Sequence, residues 1–285
     1  GVKSFAGLAQ GCPAVVVGAG PSLEGDLEAL KASAGHAVII AVGKALRLLL
    51  QHGIHPHFVA AIDMTPAVQG YWEGLEVPSE TLLLYDPDSF PALVASFPGD
   101  RVTYESPIPL MHWAAPFWGG KGELPQSLTV ANQAFLFARL LEADLIILSG
   151  VDLAFPGERT HAQGVTMTWG GAVDPANPNL IEIPSVTGGT VASTQAFLSF
   201  VTAFESEGAR TKARVIHTSP GGALIRGTDR RPFPASLKGS VPSFDSALRA
   251  PRPWDREAFA SASERVHTAV ARVLQWSASG LQALA

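Results

Sequence analysis

A glycine-rich turn joins the first apolar run of the chain to the first helical pattern. Residues 14–17 read AVVV, and residues 18–23 read GAGPSL. Glycines between a strand and a helix let the backbone approach a phosphate closely, and the helix N-terminus that follows offers unpaired N–H groups. A plain tight turn would use the same residues, and the segment is neither a Walker A motif nor a complete G-x-G-x-x-G. The predicted phosphate loop consists of Gly18, Ala19, Gly20, Pro21 and Ser22.

Two aspartates stand at the ends of later apolar runs. Asp63 ends the run HFVAAID, and Asp152 closely follows the run LIILSG. Ligands of parallel sheets bind at the carboxyl ends of the strands, so both carboxylates are expected at the ligand edge. A carboxylate there can bind a ribose hydroxyl, a metal or a substrate amine, whereas an N-cap or turn aspartate is the structural alternative.

One histidine lies close to that predicted edge. His161 occurs in the polar, glycine-flanked segment ERTHAQG, shortly after Asp152. An imidazole titrates near neutrality, so His161 is a candidate general acid or base, with a phosphate ligand or a surface residue as alternatives. No G-x-S-x-G elbow occurs in the sequence, which argues against a Ser-His-Asp hydrolase.

The elements that must position these residues alternate along the chain. Runs typical of buried strands cover residues 14–17, 36–42, 57–63, 81–86, 101–106, 144–150 and 214–219. Helical patterns fill the intervals, and one long helix is predicted over residues 190–208. This alternation predicts an α/β fold, namely a Rossmann-like doubly wound and mostly parallel sheet with helices on both faces.

These patterns divide the chain into three predicted segments. Residues 1–228 are predicted to form a Rossmann-like nucleotide-binding domain of catalytic type, and residues 229–253 a Pro-rich extended linker. Residues 254–285 predict a C-terminal amphipathic helix, with apolar residues at steps of three and four and a stop at Gly280. Such a helix either docks on the main domain or presents its apolar face to a partner, including a second copy of the chain.

Composition excludes several classes of protein. The chain has 285 residues, 47% of them hydrophobic and 16% charged, which is unlike a disordered protein. Its single cysteine, Cys12, cannot form an internal disulfide, so a reducing compartment is favoured and a cytoplasmic location is expected. The apolar runs are too short to cross a bilayer, and no dense basic stripe occurs. We therefore expect neither a membrane nor a nucleic acid as partner.

Four segments together resemble a known family, the Maf (motility accessory factor) glycosyltransferases. They occur in the order VVVGAGPSL, IIAVGKALRLLLQHGIHPHFVAAID, LIILSGVDLAF with a following THAQG, and VIHTSPGGALIRG. The resemblance covers residues 14–228. The same core is shared by the 6-hydroxymethylpterin pyrophosphokinase (MptE)-like proteins and is more distantly similar to bacterial sialyltransferases. Where the family commonly has Asn-Ser or Asn-Thr after the second strand, this chain has Gly43 and Lys44.

The resemblance assigns roles to individual residues. It makes His161 a candidate for acid–base catalysis or phosphate contact and places Asp152 in the nucleotide pocket, and both are predicted catalytic residues. The implied nucleotide contacts are Gly18, Ala19, Gly20, Pro21, Ser22, Gly43, Asp63, Ser149 and Gly150. The implied contacts to the acceptor substrate are Thr187, Gly188 and Thr194.

The same resemblance implies a reaction and its partners. The implied enzyme transfers a CMP-activated nonulosonic sugar to a Ser or Thr hydroxyl of a flagellin-like acceptor, without a cofactor or metal. The alternative is an ATP-dependent 6-hydroxymethyl-7,8-dihydropterin pyrophosphokinase, in which Asp63 and Asp152 hold Mg²⁺ and an aromatic loop with Trp113 and Trp118 stacks the pterin. A third possibility is a non-catalytic nucleotide-binding module. A homo-oligomer formed through the C-terminal helix is a further expectation.

Overall fold

A computed structural model describes residues 1–109, 113, 117, 120–166, 172–248 and 256–283. The strands of this part of the chain are β1 (Ala14–Val17), β2 (Val38–Val42), β3 (Phe58–Ala61), β4 (Leu82–Tyr85), β5 (Arg101–Thr103), β6 (Leu145–Ser149), β7 (Leu180–Pro184), β8 (Thr190–Thr194), β9 (Arg214–His217) and β10 (Asp229–Arg230). The α-helices are α1 (Leu23–Ala32), α2 (Leu46–Gln51), α3 (Pro91–Ser96), α4 (Val130–Leu140), α5 (Gln195–Gly208), α6 (Asp245–Leu248) and α7 (Arg256–Ala283).

Eight of the strands form one parallel sheet. Their order is β10-β9-β6-β1-β2-β3-β4-β5, and every neighbouring pair in this sheet is parallel. The chain runs outward from β1 to β5 and then returns to place β6 on the other side of β1. The order therefore reverses between β1 and β6, where Val17 lies opposite Ser149. This arrangement confirms the predicted doubly wound sheet.

Helices cover both faces of the sheet, as strand β3 illustrates. Phe58 packs its ring 4.8 Å from that of Phe137 in α4, so one face of β3 lies under α4. Val59 points the other way, into a hydrophobic cluster with Leu46 of α2 and Leu93 of α3. All four residues of β3 are buried, which explains why the strand reads as a continuous apolar run without alternation.

Residues 190–194 form a strand, so the predicted helix over residues 190–208 was wrong in its first five positions. Strand β8 pairs antiparallel with β7, with Leu180 opposite Thr194. The β-branched residues in this segment favour an extended backbone. Helix α5 begins only at Gln195, where the Thr194 hydroxyl accepts the N–H of Phe197 at 3.2 Å. The β7–β8 hairpin itself was not predicted.

The predicted linker contains regular structure. Its first two residues form β10, which pairs with β9 at the edge of the sheet, and α6 lies near its end. Phe244, just before α6, packs 4.9 Å from Phe58, which ties this segment to the core.

The C-terminal helix was predicted correctly, but its stop was not. Helix α7 continues through Gly280 to Ala283. Ala262 is buried, whereas Val266 and Val270 are exposed. Within the described residues, no helix combines the length and apolar composition that crossing a membrane requires.

Candidate active site

A cavity of about 350 Å³ opens at the switch point between β1 and β6. Its walls come from the turns after β1 and β2, the loop after β6, the segment around His161, and the first turns of α4 and α5. In doubly wound sheets this crevice outside the carboxyl ends of the strands is the usual ligand site. The fold therefore brings the glycine turn, Asp152 and His161 to one place.

The glycines after β1 are required by the loop after β6. A Cβ on Gly18 would lie 2.2 Å from the carbonyl oxygen of Gly150, and one on Gly20 would lie 2.3 Å from a carboxylate oxygen of Asp152. The N–H of Gly18 is donated to Ser149 O and that of Gly20 to Gly150 O, each at 2.8 Å. These glycines therefore serve close backbone packing in the protein itself.

One backbone donor of the turn is left for a ligand. The N–H of Ser22 is donated to Asp152 Oδ2 at 2.9 Å, and Pro21 has no N–H. In the described part of the chain, the N–H of Ala19 has no acceptor, although its carbonyl accepts the N–H of Ala162 at 2.9 Å. Ala19 lines the cavity. Within this turn, the backbone donor available to a ligand is therefore that of Ala19 and not those of its glycine neighbours, and the predicted phosphate contact stays a prediction.

Asp152 holds three segments together. Its side chain is 2% exposed, Oδ2 accepts the Ser22 N–H, and Oδ1 accepts the Ser219 hydroxyl. The Ser219 oxygen in turn accepts the N–H of Gly222 at 2.9 Å. Both carboxylate oxygens are therefore engaged, which suits a positioning role. The predicted catalytic role of Asp152 stays a prediction.

A second buried carboxylate lies behind the turn. Asp26 accepts hydrogen bonds from the hydroxyls of Ser149, at 2.7 Å, and Thr218. Burial raises the pKa of Asp26, against the opposing effect of these two donors. The Ser149 hydroxyl is thereby used inside the protein, beneath the cavity.

Charged and titratable groups line the cavity or lie beside it. Gly43 leaves room for the ring of Tyr71, which would lie 2.7 Å from a Cβ at that position. Lys44 follows and lines the cavity. Burial lowers the pKa of Lys44, and the negative charge of Asp63 partly offsets this decrease. Burial likewise raises the pKa of Asp63, and the positive charge of Lys44 partly offsets that increase. Burial, and secondarily the charge of Asp63, raise the pKa of the Tyr71 hydroxyl.

His161 lies near Lys44, and its environment favours the neutral imidazole. Burial, followed by the positive charge of Lys44, lowers its pKa to about 4. Its Nδ1 lies 2.9 Å from the hydroxyl of Thr160, whereas Nε2 has no hydrogen-bond partner among the described residues. The segment is fastened to α1, because Glu24 pairs with Arg159 and accepts the N–H of Gln163 at 2.7 Å.

The cavity brings together part of the predicted site. The predicted residues that line it are Gly18, Ala19, Gly20, Gly43, Gly150, Asp152, His161 and Thr194. The predicted residues outside its lining are Pro21, Ser22, Asp63, Ser149, Thr187 and Gly188. Thr187 and Gly188 lie in the turn between β7 and β8. Asp63 lies two residues beyond the end of β3. Its negative charge raises the pKa of Lys44, so Asp63 affects a residue that lines the cavity without lining it itself.

Sequence reasoning missed several lining residues. Lys44 and Tyr71 were not proposed as site residues, although Lys44 stands beside Gly43 in the printed motif. Phe155, Phe197 and Phe200 were missed because they come from two segments that are distant in the sequence, the loop after β6 and the first turns of α5. In the aromatic loop, Trp113 packs 5.5 Å from Phe117, whereas Trp118 lies outside the described residues.

The two aspartates expected to hold Mg²⁺ in the pyrophosphokinase alternative do not both line the cavity, and their metal role stays a prediction. Both oxygens of Asp152 already accept protein donors, and Asp63 lies outside the cavity lining and near the positive charge of Lys44. Magnesium prefers carboxylate oxygens that can reach it directly. Within the part of the chain that is described, no group of three or more His, Cys, Asp or Glu side chains could hold a metal ion.

The sequence matches the model of the family described as 6-hydroxymethylpterin diphosphokinase MptE-like over residues 2–158, which is more than half of the chain. The chain belongs to the MptE-like family. The matched region includes the glycine turn, Lys44 and Asp152, and it ends just before His161.

This MptE-like chain is also similar to the Maf glycosyltransferase from Magnetospirillum magneticum AMB-1. The two structures have a TM-score of 0.66 and 25% sequence identity over 90% of this chain. The similarity spans 42% of that glycosyltransferase. No curated protein matches the sequence. The resemblance to both families that the motifs predicted is thus confirmed.

Proposed function

We propose that this protein is a glycosyltransferase-like enzyme that binds a nucleotide-activated sugar in the crevice between β1 and β6. The observation that carries the proposal is the cavity at the switch point, whose lining includes Ala19, Lys44 and His161 as well as three phenylalanine rings. The similarity to a Maf glycosyltransferase over 90% of the chain supports it.

The polar residues of the lining suit the phosphate of a departing nucleotide. The N–H of Ala19 and the ammonium of Lys44 would stabilise its negative charge. The N-terminus of α4 adds to this, because Thr129, Val130 and Ala131 line the cavity. Among the described residues, the first turn of α4 has neither an acidic residue nor a side-chain cap, so its N–H groups favour an anion.

The proposed reaction transfers the sugar to a hydroxyl. The hydroxyl oxygen bonds to the anomeric carbon while the bond from that carbon to the phosphate oxygen breaks, and the nucleotide leaves with the electron pair. His161 Nε2 accepts the hydroxyl proton. A phosphate anion beside His161 would raise its pKa from about 4 towards the range in which a general base works well. Asp152, both of whose oxygens accept protein donors, would act by positioning the turn at the edge of the cavity.

Donor and acceptor follow from the family resemblance. We propose a CMP-activated nonulosonic sugar as donor and a Ser or Thr hydroxyl of a flagellin-like protein as acceptor, with the reaction taking place in the cytoplasm. Helix α7 would contact this acceptor or a second copy of the chain.

Calorimetric titration with CMP, CDP, ATP and the dihydropterin, each with and without Mg²⁺, tests the proposal. We expect CMP to bind without Mg²⁺ and Lys44→Met to weaken this binding about 10- to 100-fold, as for a hydrogen bond to a charged group. His161→Gln should lower CMP release from a CMP-sugar by about 10²- to 10⁴-fold with little effect on CMP affinity. His55→Gln, at an exposed site outside the cavity, is the matched control. Binding of ATP and pterin that requires Mg²⁺ would instead support the pyrophosphokinase alternative.

A further inference from the structure

Three phenylalanine rings stand in a row along one wall of the crevice. The ring centroids of Phe155 and Phe197 are 5.2 Å apart, and those of Phe197 and Phe200 are 5.9 Å apart. Each side chain is only partly buried, and all three line the cavity. We call these three residues the aromatic row. Partly exposed phenyl rings gathered inside one cavity offer apolar contact area to a ligand.

The aromatic row is fixed in place by backbone hydrogen bonds. The N–H of Phe155 is donated to Ala192 O in β8 at 2.8 Å. The N–H of Phe197 is donated to the Thr194 hydroxyl at 3.2 Å, at the N-cap of α5. Because the loop of Phe155 is bonded to the β7–β8 hairpin and the other two rings lie on the first turns of α5, a ligand that contacts them need not order the loop first.

The chemistry of the aromatic row selects a class of ligand group. A phenyl ring has no hydrogen-bonding atom, so it contacts a planar or apolar surface through its face. The same cavity is lined by Ala19, Lys44 and His161, which offer a backbone N–H, an ammonium and an imidazole. A ligand that satisfies both kinds of lining carries an anionic group and a flat ring.

We propose that the aromatic row is the stacking surface for the nucleobase of the donor. This inference rests on the nucleotide site of the proposed function. Stacking on an aromatic side chain tolerates any base, because every base has a π-face. The aromatic row therefore distinguishes a nucleotide from a sugar phosphate, and it does not distinguish cytosine from another base.

Titration of Phe197→Leu with three probes tests this assignment. The probes are CMP, ribose 5-phosphate, which lacks the base, and inorganic pyrophosphate. We expect the variant to bind CMP about 5- to 100-fold more weakly than the wild type, as for loss of one stacked base. Its binding of ribose 5-phosphate and pyrophosphate should change by less than about twofold, and UMP and AMP should lose as much affinity as CMP. Phe155→Leu provides a second, independent variant.

Two controls accompany these variants. Phe197→Tyr keeps the ring face and should bind CMP within about threefold of the wild type. Phe90→Leu removes a ring of similar burial that packs on the other side of the sheet, against the cluster of Leu46 and Leu93, and should leave every probe unaffected.

The outcomes separate the two proposals. If the wild type binds CMP and both Leu variants bind it equally well, the aromatic row does not stack the base, and the nucleotide site stands. Equal weakening of CMP and ribose 5-phosphate would assign the aromatic row to the sugar and also overturn the inference. Loss of pyrophosphate binding would show that the rings only support the fold of the site. A wild type that binds no nucleotide would overturn both proposals.

Discussion

Replacement of Asp152 separates a positioning role from a catalytic one. Its Oδ2 accepts the N–H of Ser22 and its Oδ1 accepts the hydroxyl of Ser219. Asp152→Ala removes both acceptors from a site that is 2% exposed and borders the cavity, so water replaces them only in part. Asp152→Asn keeps one oxygen for the Ser22 N–H. Its amide NH₂ can be donated to Ser219, because a hydroxyl oxygen also accepts.

The expected cost follows from these contacts. A hydrogen bond to a charged group contributes about 1.5–3 kcal/mol, and a buried donor left unsatisfied costs about 1–3 kcal/mol. With two such bonds lost and partial relaxation, Asp152→Ala should lower the free energy of unfolding by about 3–4 kcal/mol. Asp152→Asn loses charge assistance but keeps both pairings, so about 1–2 kcal/mol is expected.

Urea unfolding followed by tryptophan fluorescence measures these costs, and CMP titration measures the site. We expect stability and CMP affinity to fall together, more for Ala than for Asn. Asp100→Ala, at an exposed aspartate, is the control and should change stability by less than about 0.5 kcal/mol. If Asp152→Ala leaves the unfolding free energy within about 1 kcal/mol of the wild type while CMP release from a CMP-sugar stops, the positioning argument is wrong and Asp152 is catalytic.

Three further predictions concern the same region. Gly18→Ala places a Cβ 2.2 Å from Gly150 O and should lower the free energy of unfolding by about 2–4 kcal/mol. Gly25→Ala, whose Cβ would meet nothing within 4 Å, should stabilise α1 by about 0.5–1 kcal/mol, and urea unfolding measures both changes. The folded pKa of His161, about 4, is below its ordinary value of 6.5, so the stability that it contributes is present above 6.5 and is lost as the pH falls towards 4. His161→Gln should reduce proton uptake on unfolding in this interval by up to about one proton, and an unchanged pH profile of stability would contradict the shift. Thr194→Ala should cost about 1 kcal/mol through loss of the α5 N-cap, and Thr194→Ser should recover most of it in thermal unfolding.

Local pattern was sufficient for most of the sheet. Strands β1, β2, β3, β4 and β6 lie within two residues of their predicted bounds. Both faces of these strands are covered, so each is a continuous apolar run that can be recognised without knowing its neighbours. The same reasoning placed Gly18 and Gly150 at strand ends, where parallel topology brings them together.

Non-local contacts account for what the local pattern missed. Residues 190–194 precede a helix without a break, and only pairing with residues 180–184 makes them a strand. The aromatic row is assembled from the loop after β6 and the start of α5, so its spacing in the sequence carries no period. The positive charge of Lys44 lowers the pKa of His161, although more than a hundred residues separate the two in the chain.

The sequence by itself determined which chemical groups stand at the carboxyl edge of a parallel sheet, because apolar runs define the strands and the turns that follow them define the edge. The tertiary structure alone decided what these groups do. Asp152 meets a donor 130 residues away at Ser22 and another 67 residues away at Ser219, so its role depends on partners that no local pattern can supply. The glycines from which phosphate contact was predicted are required by the close approach of Gly150 and Asp152. Within the described part of the chain, the N–H of this turn that has no acceptor belongs to Ala19 between them.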